Sequence, residues 1–261
     1  MAKDKSYRSG YKTTRADHPA ENAAAQAAAM AMEASASIKA MIEKQQGPIP
    51  KLPPVYLDDA IRSRLLQWNI PQLIAMGAST GGTEALATVL TALRPPMPPI
   101  VVVQHIPPYF SRLFAQRLDA DCELQISEAK EGDIPAANHV YIAPGERHMS
   151  LRTDGGRMRL VVQPGPRVNS VCPAVDVLFD SVARYVGGAA LGILLTGMGR
   201  DGADGLLAMR RAGAHTLGQD EPSAVVYGMP KAAMDCGAVE QQLNLQDMAQ
   251  AVQLIVHKTA C

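Results

Sequence analysis

The sequence has no uninterrupted apolar run of about 18 residues, the minimum length of a membrane-spanning helix. We therefore expect no direct membrane insertion. The amino terminus carries Lys3, Asp4 and Lys5 and has no apolar signal core, which favours a cytoplasmic protein. Aromatic residues make up only 4% of the chain, and this disfavours a stacking surface for bases or sugars.

The chain also has no excess of positive or negative charge. The 25 basic and 25 acidic side chains balance to a net charge of zero, and no basic block indicates a nucleic acid partner. The four cysteines are widely spaced and form no Cys-x-x-Cys pair, which disfavours zinc ribbons and thioredoxin chemistry. Reduced thiols in a large cytosolic protein are the simplest interpretation.

The first part of the chain differs in composition from the rest. Residues Ala20–Gln46 are rich in alanine and methionine, which predicts one helix of high propensity with a mostly small apolar face. Four prolines then favour a semi-rigid linker, and a short helix over Leu57–Trp68 is expected to lie against the following domain. We predict an N-terminal extension over residues 1–66 and one main domain over residues 67–261.

Apolar strands and helices alternate from Leu73 onward, and this predicts an α/β fold. We expect a doubly wound, mainly parallel sheet with helices on both faces. A small antiparallel hairpin is predicted where Met149–Leu151 and Met158–Val162 are joined through Asp154-Gly155-Gly156. The predicted strands of the main sheet are Leu73–Met76, Ile100–Gln104, Val140–Ile142, Leu191–Leu195 and His215–Gly218. The predicted helices are Glu84–Leu93, Tyr109–Leu118, Asp176–Val186, Ala203–Ala212, Pro230–Met234 and Leu245–His257.

Ser79 stands in a Gly-x-Ser-x-Gly frame between the first strand and the first of these helices. Several hydrolase folds expose a nucleophile at such a turn, where glycines permit the sharp bend and the close approach of a substrate. A glycine-rich turn with an incidental serine is the alternative interpretation. The carboxyl ends of two other predicted strands decide between them.

His105 follows the second strand, and Asp201 follows the strand Leu191–Leu195. Loops at the carboxyl ends of parallel strands meet at one edge of the sheet, so Ser79, His105 and Asp201 are expected together. In that arrangement His105 accepts the hydroxyl proton of Ser79, and Asp201 orients the imidazole. The Gly197-Met198-Gly199 turn is a candidate source of an oxyanion N–H. Taken alone, His105 could cap a strand end and Asp201 could be the N-cap of the helix over Ala203–Ala212.

Other sites known from related folds fit less well. An α/β-hydrolase orders its triad as serine, acid, histidine, which would require His215 or His257 as the base. A dinucleotide site places an acidic residue after the second strand, where this chain has Gln104-His105. There is no Gly-Lys-Ser/Thr for a P-loop, and no His, Asp or Glu set has metal-ligand spacing. We expect neither a metal nor an organic cofactor.

Six ordered segments resemble the chemotaxis receptor methylesterases, which are protein-glutamate methylesterases that also deamidate receptor glutamines. The resemblance covers about 190 residues from Leu73 nearly to the C-terminus. It includes Ile74 to Leu86, Gln104 to Pro108, Tyr141 to Gly145, Pro173 to Phe179, Leu195 to Gly205, and Gly228-Met229-Pro230. The resemblance implies that Ser79 is the nucleophile, His105 the base and Asp201 the acid. It also implies an oxyanion or substrate-binding role for Met198, with Thr80 beside the serine.

The same resemblance implies an esterase that acts through an acyl-enzyme on Ser79, with chemotaxis receptors as protein substrates and separate signalling partners. Members of the family commonly carry an N-terminal receiver domain. The first 70 residues show no βα alternation and no acidic phosphoacceptor pocket, so control by phosphorylation is not carried over to this chain. The alternative function is a non-catalytic regulatory module whose Ala20–Gln46 helix binds partners.

Overall fold

A computed structural model describes residues 57–258 of the chain. Nine strands, seven α-helices and a short 3-10 helix over Gly187–Ala189 occupy this part. Strands and helices alternate except in the middle, where four strands follow one another with no helix between them. The strands are β1 Leu73–Ala78, β2 Ile100–Gln104, β3 Gln125–Glu128, β4 His139–Ile142, β5 His148–Asp154, β6 Arg157–Gln163, β7 Ala190–Leu194, β8 His215–Gln219 and β9 Gln241–Leu243. The helices are α1 Asp59–Leu65, α2 Gly82–Ala92, α3 Pro108–Asp121, α4 Val175–Tyr185, α5 Ala203–Arg211, α6 Met229–Asp235 and α7 Leu245–Val256.

Seven strands form one parallel sheet in the order β3-β4-β2-β1-β7-β8-β9. The chain builds outward from β1 through β2 on one side, then returns to build outward through β7 on the other. The order therefore reverses between β1 and β7, and such a switch point is where open α/β sheets bind their ligands. The predicted fold class is confirmed, including the hairpin, which is β5 paired with β6 in antiparallel register.

The central strands are buried on both faces, as their continuous apolar sequences require. Every residue of β1, β2 and β7 is buried. Leu73 and Ala75 of β1 belong to one large apolar cluster with the helices α4, α5 and α6 and with the hairpin. Ile74 and Met76, whose side chains point the other way, are also fully buried. The sheet thus has a packed layer on each face.

Two strands were missed by the sequence prediction, and both are edge strands. β3 has the sequence Gln-Ile-Ser-Glu and β9 has Gln-Gln-Leu. An edge strand is covered on fewer sides than a central one, so it lacks the apolar run that identified β1, β2 and β7. The short helix predicted over Leu57–Trp68 is present as α1. The predicted helix over Ala20–Gln46 and the proline linker lie outside the described residues.

No helix between residues 57 and 258 is long and apolar enough to cross a lipid bilayer.

Candidate active site

Ser79 is the first residue after the central strand β1. Its backbone N–H donates to the Thr196 carbonyl at 3.0 Å, and its carbonyl accepts from the Gly82 N–H at 2.7 Å, which closes a tight turn before α2. Gly81 caps α2 with a φ of 77°, a left-handed conformation that favours glycine. A side chain at Gly81 would also approach Val225 to 2.6 Å. The glycines flanking Ser79 therefore allow the turn to be both sharp and tightly packed.

Two buried polar side chains fix this turn from the neighbouring strands. The Gln104 amide, at the end of β2, donates to the Ser79 carbonyl at 2.9 Å and to the His105 carbonyl at 3.2 Å. The Thr196 hydroxyl, just after β7, donates to the Thr80 carbonyl at 3.0 Å. Both residues are almost fully buried. Sequence patterns indicated no role for them, because their partners come from other strands.

His105 lies directly beside the serine. Its backbone N–H donates to the Ala78 carbonyl at 3.2 Å, and its ring atom Nδ1 is 3.0 Å from Ser79 Oγ. The other ring nitrogen, Nε2, is 2.8 Å from Asp201 Oδ2. A carboxylate only accepts hydrogen bonds, so Nε2 carries the ring proton and Nδ1 is free to accept from the serine hydroxyl. The imidazole is therefore in the tautomer that a general base requires.

Asp201 accepts four hydrogen bonds and is only 3% exposed. Besides His105, the donors are the backbone N–H of Val175 at 2.6 Å, the backbone N–H of Asp176 at 3.2 Å and the Asn169 side-chain amide at 3.0 Å. Val175 and Asp176 open helix α4, whose N-terminus favours a negative charge. The carboxylate is thus held as an anion at the start of a helix that lies far from it in sequence.

The pKa of Asp201 reflects this environment. Burial by itself would raise the pKa, but the hydrogen bonds from His105, Asn169 and the start of α4 bring it below its ordinary value. Asp201 is therefore ionised at neutral pH and places a negative charge beside the His105 ring. The other possible role of Asp201, as the N-cap of α5, is wrong. Gly202 is the N-cap, and it makes no side-chain cap.

Thr80 and Met198 lie at the solvent side of the serine. Thr80 follows Ser79 directly and is exposed, and Met198 is 75% exposed. Met198 follows Gly197, where an added Cβ would come within 2.8 Å of Ser79 Cβ. The Gly197 N–H already donates to the Val226 carbonyl at 3.0 Å. The backbone N–H groups of Thr80 and Met198 have no hydrogen-bond partner among residues 57–258, so these two can serve a ligand.

The two histidines required by an α/β-hydrolase order lie elsewhere. His215 begins β8, so it lies at the amino end of the strand, away from Ser79. There it stacks on Trp68, and its Nδ1 is 2.9 Å from Glu240 Oε2. His257 follows α7 and donates to the Pro96 carbonyl at 2.8 Å. Within residues 57–258 there is no cluster of His, Cys, Asp and Glu that could hold a metal ion.

A second buried carboxyl group, that of Asp176, lies close to that of Asp201, and the Asn169 amide donates to both. Asp176 is 7% exposed, and its side chain accepts from the Gly205 N–H at 2.7 Å and from the Asn169 amide at 2.7 Å. Burial, together with the nearby charges of Asp201 and Asp204, raises its pKa to about 6, against the lowering effect of these hydrogen bonds. Sequence patterns did not indicate Asn169 at all, and Asp176 stood out only as part of a matched segment.

A serine, a histidine and a buried carboxylate, joined in series at the switch point of a parallel sheet, are the arrangement that serine hydrolases use. Comparison with known proteins specifies the family. Residues 74–252 match the model of the CheB methylesterase family, and the chain belongs to that family.

Relatives of this chain carry one shared name. A protein-glutamate methylesterase/protein-glutamine glutaminase 2 of Syntrophomonas wolfei is 50% identical over 186 residues, which are 71% of this chain and 54% of that protein. The protein of the same name from Vibrio vulnificus is 54% identical over 168 residues, which are 64% of this chain and 49% of that protein. The chain thus spans about half the length of these curated relatives.

A solved structure supports the same grouping. The crystal structure of the Thermotoga maritima CheB methylesterase catalytic domain superposes with a TM-score of 0.68 at 33% sequence identity. The match covers 70% of this chain and 98% of that one. The family resemblance read from the sequence is confirmed.

Proposed function

We propose that this protein is a serine hydrolase that removes methyl esters from glutamate residues of chemotaxis receptors and deamidates receptor glutamines. The observation that carries the proposal is the unbroken series from Ser79 Oγ through the His105 ring to the buried Asp201 carboxylate. The names of the relatives support the choice of ester and amide. The half-buried Ser79, with exposed Thr80 and Met198 beside it, suits a substrate that is itself a protein side chain.

The first half of the reaction forms an acyl-enzyme. His105 Nδ1 takes the proton of Ser79 Oγ as the oxygen attacks the ester carbonyl carbon. The N–H groups of Thr80 and Met198 are the donors available for the resulting oxyanion, and Asp201 stabilises the imidazolium. The carbon–oxygen bond to the methoxy group then breaks, and His105 returns the proton, so methanol leaves.

The second half of the reaction regenerates the enzyme. Water loses a proton to His105 and attacks the glutamyl ester on Ser79. The bond between the acyl carbon and Ser79 Oγ then breaks, His105 returns the proton to Oγ, and the free glutamate side chain leaves. With a glutamine substrate the same acyl-enzyme forms, and the leaving group is ammonia instead of methanol. One nucleophile thus serves both reactions.

The experiment is to incubate the protein with methylated receptor fragments and measure methanol release, with deamidation followed by mass spectrometry. Ser79→Ala is expected to abolish both activities and leave the thermal unfolding midpoint close to that of the parent. Ser63→Ala, a change of the same kind at an exposed position of α1, is the control and keeps both activities. Deamidation that survives in Ser79→Ala would rule out a shared acyl-enzyme. No methanol release by the parent protein would favour a non-catalytic module.

A further inference from the structure

The loop between the hairpin and α4 contains a tight turn in an unusual conformation. Val168 and Val171 exchange two backbone hydrogen bonds of 3.0 Å, and the two residues between them, Asn169 and Ser170, have φ values of 51° and 67°. Two successive positive φ values are those of a type I′ turn, which prefers Asn-Gly. Asparagine tolerates this conformation, but serine does so poorly. Such strain in a non-glycine turn points to a function for what the turn presents.

The turn presents the side chain of Asn169 to both buried carboxyl groups. The amide nitrogen has two protons, and one donates to Asp176 Oδ2 at 2.7 Å while the other donates to Asp201 Oδ1 at 3.0 Å. Both carboxyl groups are buried, whereas Asn169 itself is exposed. A single neutral side chain from the surface therefore bridges two acids that would otherwise repel each other.

His148, the first residue of the hairpin strand β5, holds both ends of this loop. Its Nε2 donates to the Pro166 carbonyl at 2.8 Å, and its Nδ1 accepts from the Ala174 N–H at 3.2 Å. The Arg167 guanidinium also donates to the Ser170 carbonyl at 3.2 Å. The turn is thereby anchored to the domain, and the position of Asn169 is set by contacts other than those to the two acids.

Asn169 supplies what Asp201 would lack without it. Asp201 Oδ2 already accepts from His105 and from the Val175 N–H at 2.6 Å. Oδ1 accepts only from Asn169 and, more weakly at 3.2 Å, from the Asp176 N–H. Loss of the amide would leave Oδ1 with only the longer bond from the Asp176 N–H, so the carboxylate could turn more freely about its Cβ–Cγ bond. That turn would move Oδ2, the oxygen that orients the imidazole.

We infer that Asn169 is a positioning residue of the proposed esterase: it fixes the Asp201 carboxylate toward His105 and offsets the repulsion from Asp176. This inference rests on the proposed function for its kinetic effect, but its effect on the two acids does not depend on any substrate. The Asn169 side chain donates to the two acids and not to Ser79 or His105, so its contribution reaches the chemistry through Asp201.

The decisive variant is Asn169→Asp. Aspartate has the shape of asparagine and also tolerates the turn, but its carboxyl group, ionised or protonated, cannot donate to both acids. We expect kcat for methanol release to fall by about tenfold or more with KM nearly unchanged, the usual cost of a lost bond to a charged group. Ser170→Gly, in the same turn, is the control and should keep kcat within about twofold, because glycine suits a positive φ.

A titration tests the inference without any substrate. In Asn169→Ala, the pKa of the Asp176 carboxyl, followed by carbon-13 NMR, should rise above its wild-type value. The amide bond that favours the charged form is lost, while burial and the charges of Asp201 and Asp204 remain. A wild-type kcat in Asn169→Asp, or an unmoved Asp176 pKa in Asn169→Ala, would overturn the inference. If the parent protein releases no methanol, the proposed function fails and the titration alone decides the role of Asn169.

Discussion

At the scale of single residues, both carboxylate oxygens of Asp201 accept hydrogen bonds from fixed donors. His105 and Val175 donate to Oδ2, and Asn169 and Asp176 donate to Oδ1. If asparagine replaced Asp201, its NH₂ group would have to face one of these two pairs of donors. If it faces His105, the ring proton has to move to Nδ1, and the base can no longer accept from Ser79.

We therefore predict that Asp201→Asn lowers kcat strongly and KM little. The corresponding change in serine proteases costs about 10⁴ in kcat, and we take this as an upper limit because Ser79 is only half-buried. Steady-state methanol release measures both constants, and nitrogen-15 NMR of His105 reports which ring nitrogen carries the proton. Full turnover in Asp201→Asn would reduce the carboxylate to a support for the start of α4.

Asp176 gives a prediction for the pH dependence of stability. Its folded pKa of about 6 lies above the reference value of 3.8, so the native state holds this proton more tightly than the unfolded state. The stabilisation is complete below about pH 4 and is lost as the pH rises through 6. Between those values the protein loses about 2 kcal/mol relative to Asp176→Asn, after allowance for solvent screening.

The measurement is urea unfolding of both proteins at several pH values. The altered hydrogen bonds of the variant contribute a constant difference, which cancels when only the change with pH is compared. A difference in the free energy of unfolding that stays flat between pH 4 and pH 7 would mean that Asp176 titrates normally.

At the scale of elements, the site depends on how closely α4 approaches the sheet. Gly77 lies in β1, and a Cβ there would overlap Val175 Cγ1, the side chain of the first residue of α4. A Cβ at Gly202 would come within 2.7 Å of the same valine. The absence of side chains at these two positions lets the start of α4 reach Asp201 with its N–H groups.

We predict that Gly77→Ala displaces the start of α4. The overpacking should lower the free energy of unfolding by about 1–3 kcal/mol, and kcat should fall because the Val175 N–H moves away from Asp201. Gly155→Ala, in the hairpin turn with a φ of 55°, is the control. It is strained but has open space around it, so it should lose stability without losing kcat. Equal kcat for Gly77→Ala and the parent would contradict this role of α4.

At the scale of the whole molecule, residues 57–72, which precede β1, contact the domain away from Ser79. Leu57 and Leu65 are buried, α1 packs against α7, and Arg64 donates to the Gln241 side chain at 3.0 Å. Trp68 stacks on His215 at the amino end of β8, whereas the site lies at the carboxyl ends of the strands. The predicted domain boundary at residue 66 stays a prediction, and these contacts favour placing it nearer residue 57.

Two truncations test both points. Deleting residues 1–56 should leave the free energy of unfolding close to that of the parent. It should also keep kcat/KM on a receptor peptide within a few-fold of the parent value. Deleting residues 1–66 should also keep kcat/KM within a few-fold but lower the free energy of unfolding by about 3 kcal/mol, because Leu57 and Leu65 lose their burial. A large activation of peptide hydrolysis by either truncation would show instead that the N-terminal segment covers Ser79.

The sequence by itself determined the central part of the molecule. Buried parallel strands are continuous apolar runs, so β1, β2 and β7 were predicted from these runs alone. Ser79 and His105 directly follow two of these strands, and loops after parallel strands share one edge of the sheet, so strand order along the chain is enough to bring the two residues together. Six matched segments were enough to predict the family.

Only the tertiary structure decided the remainder. The edge strands β3 and β9 are too polar to show an apolar pattern, and the insertion of β4 between β2 and β3 has no local signal. Taken alone, Asp201 could have capped its own helix, and the sequence contained no sign of Asn169. The position of Asp201 depends on the start of α4 and on the strained turn that carries Asn169. The residues that donate to Asp201 from these two segments lie 25 to 32 positions away from it in the chain. Local propensity carries no information on such contacts, because packing between distant segments selects them.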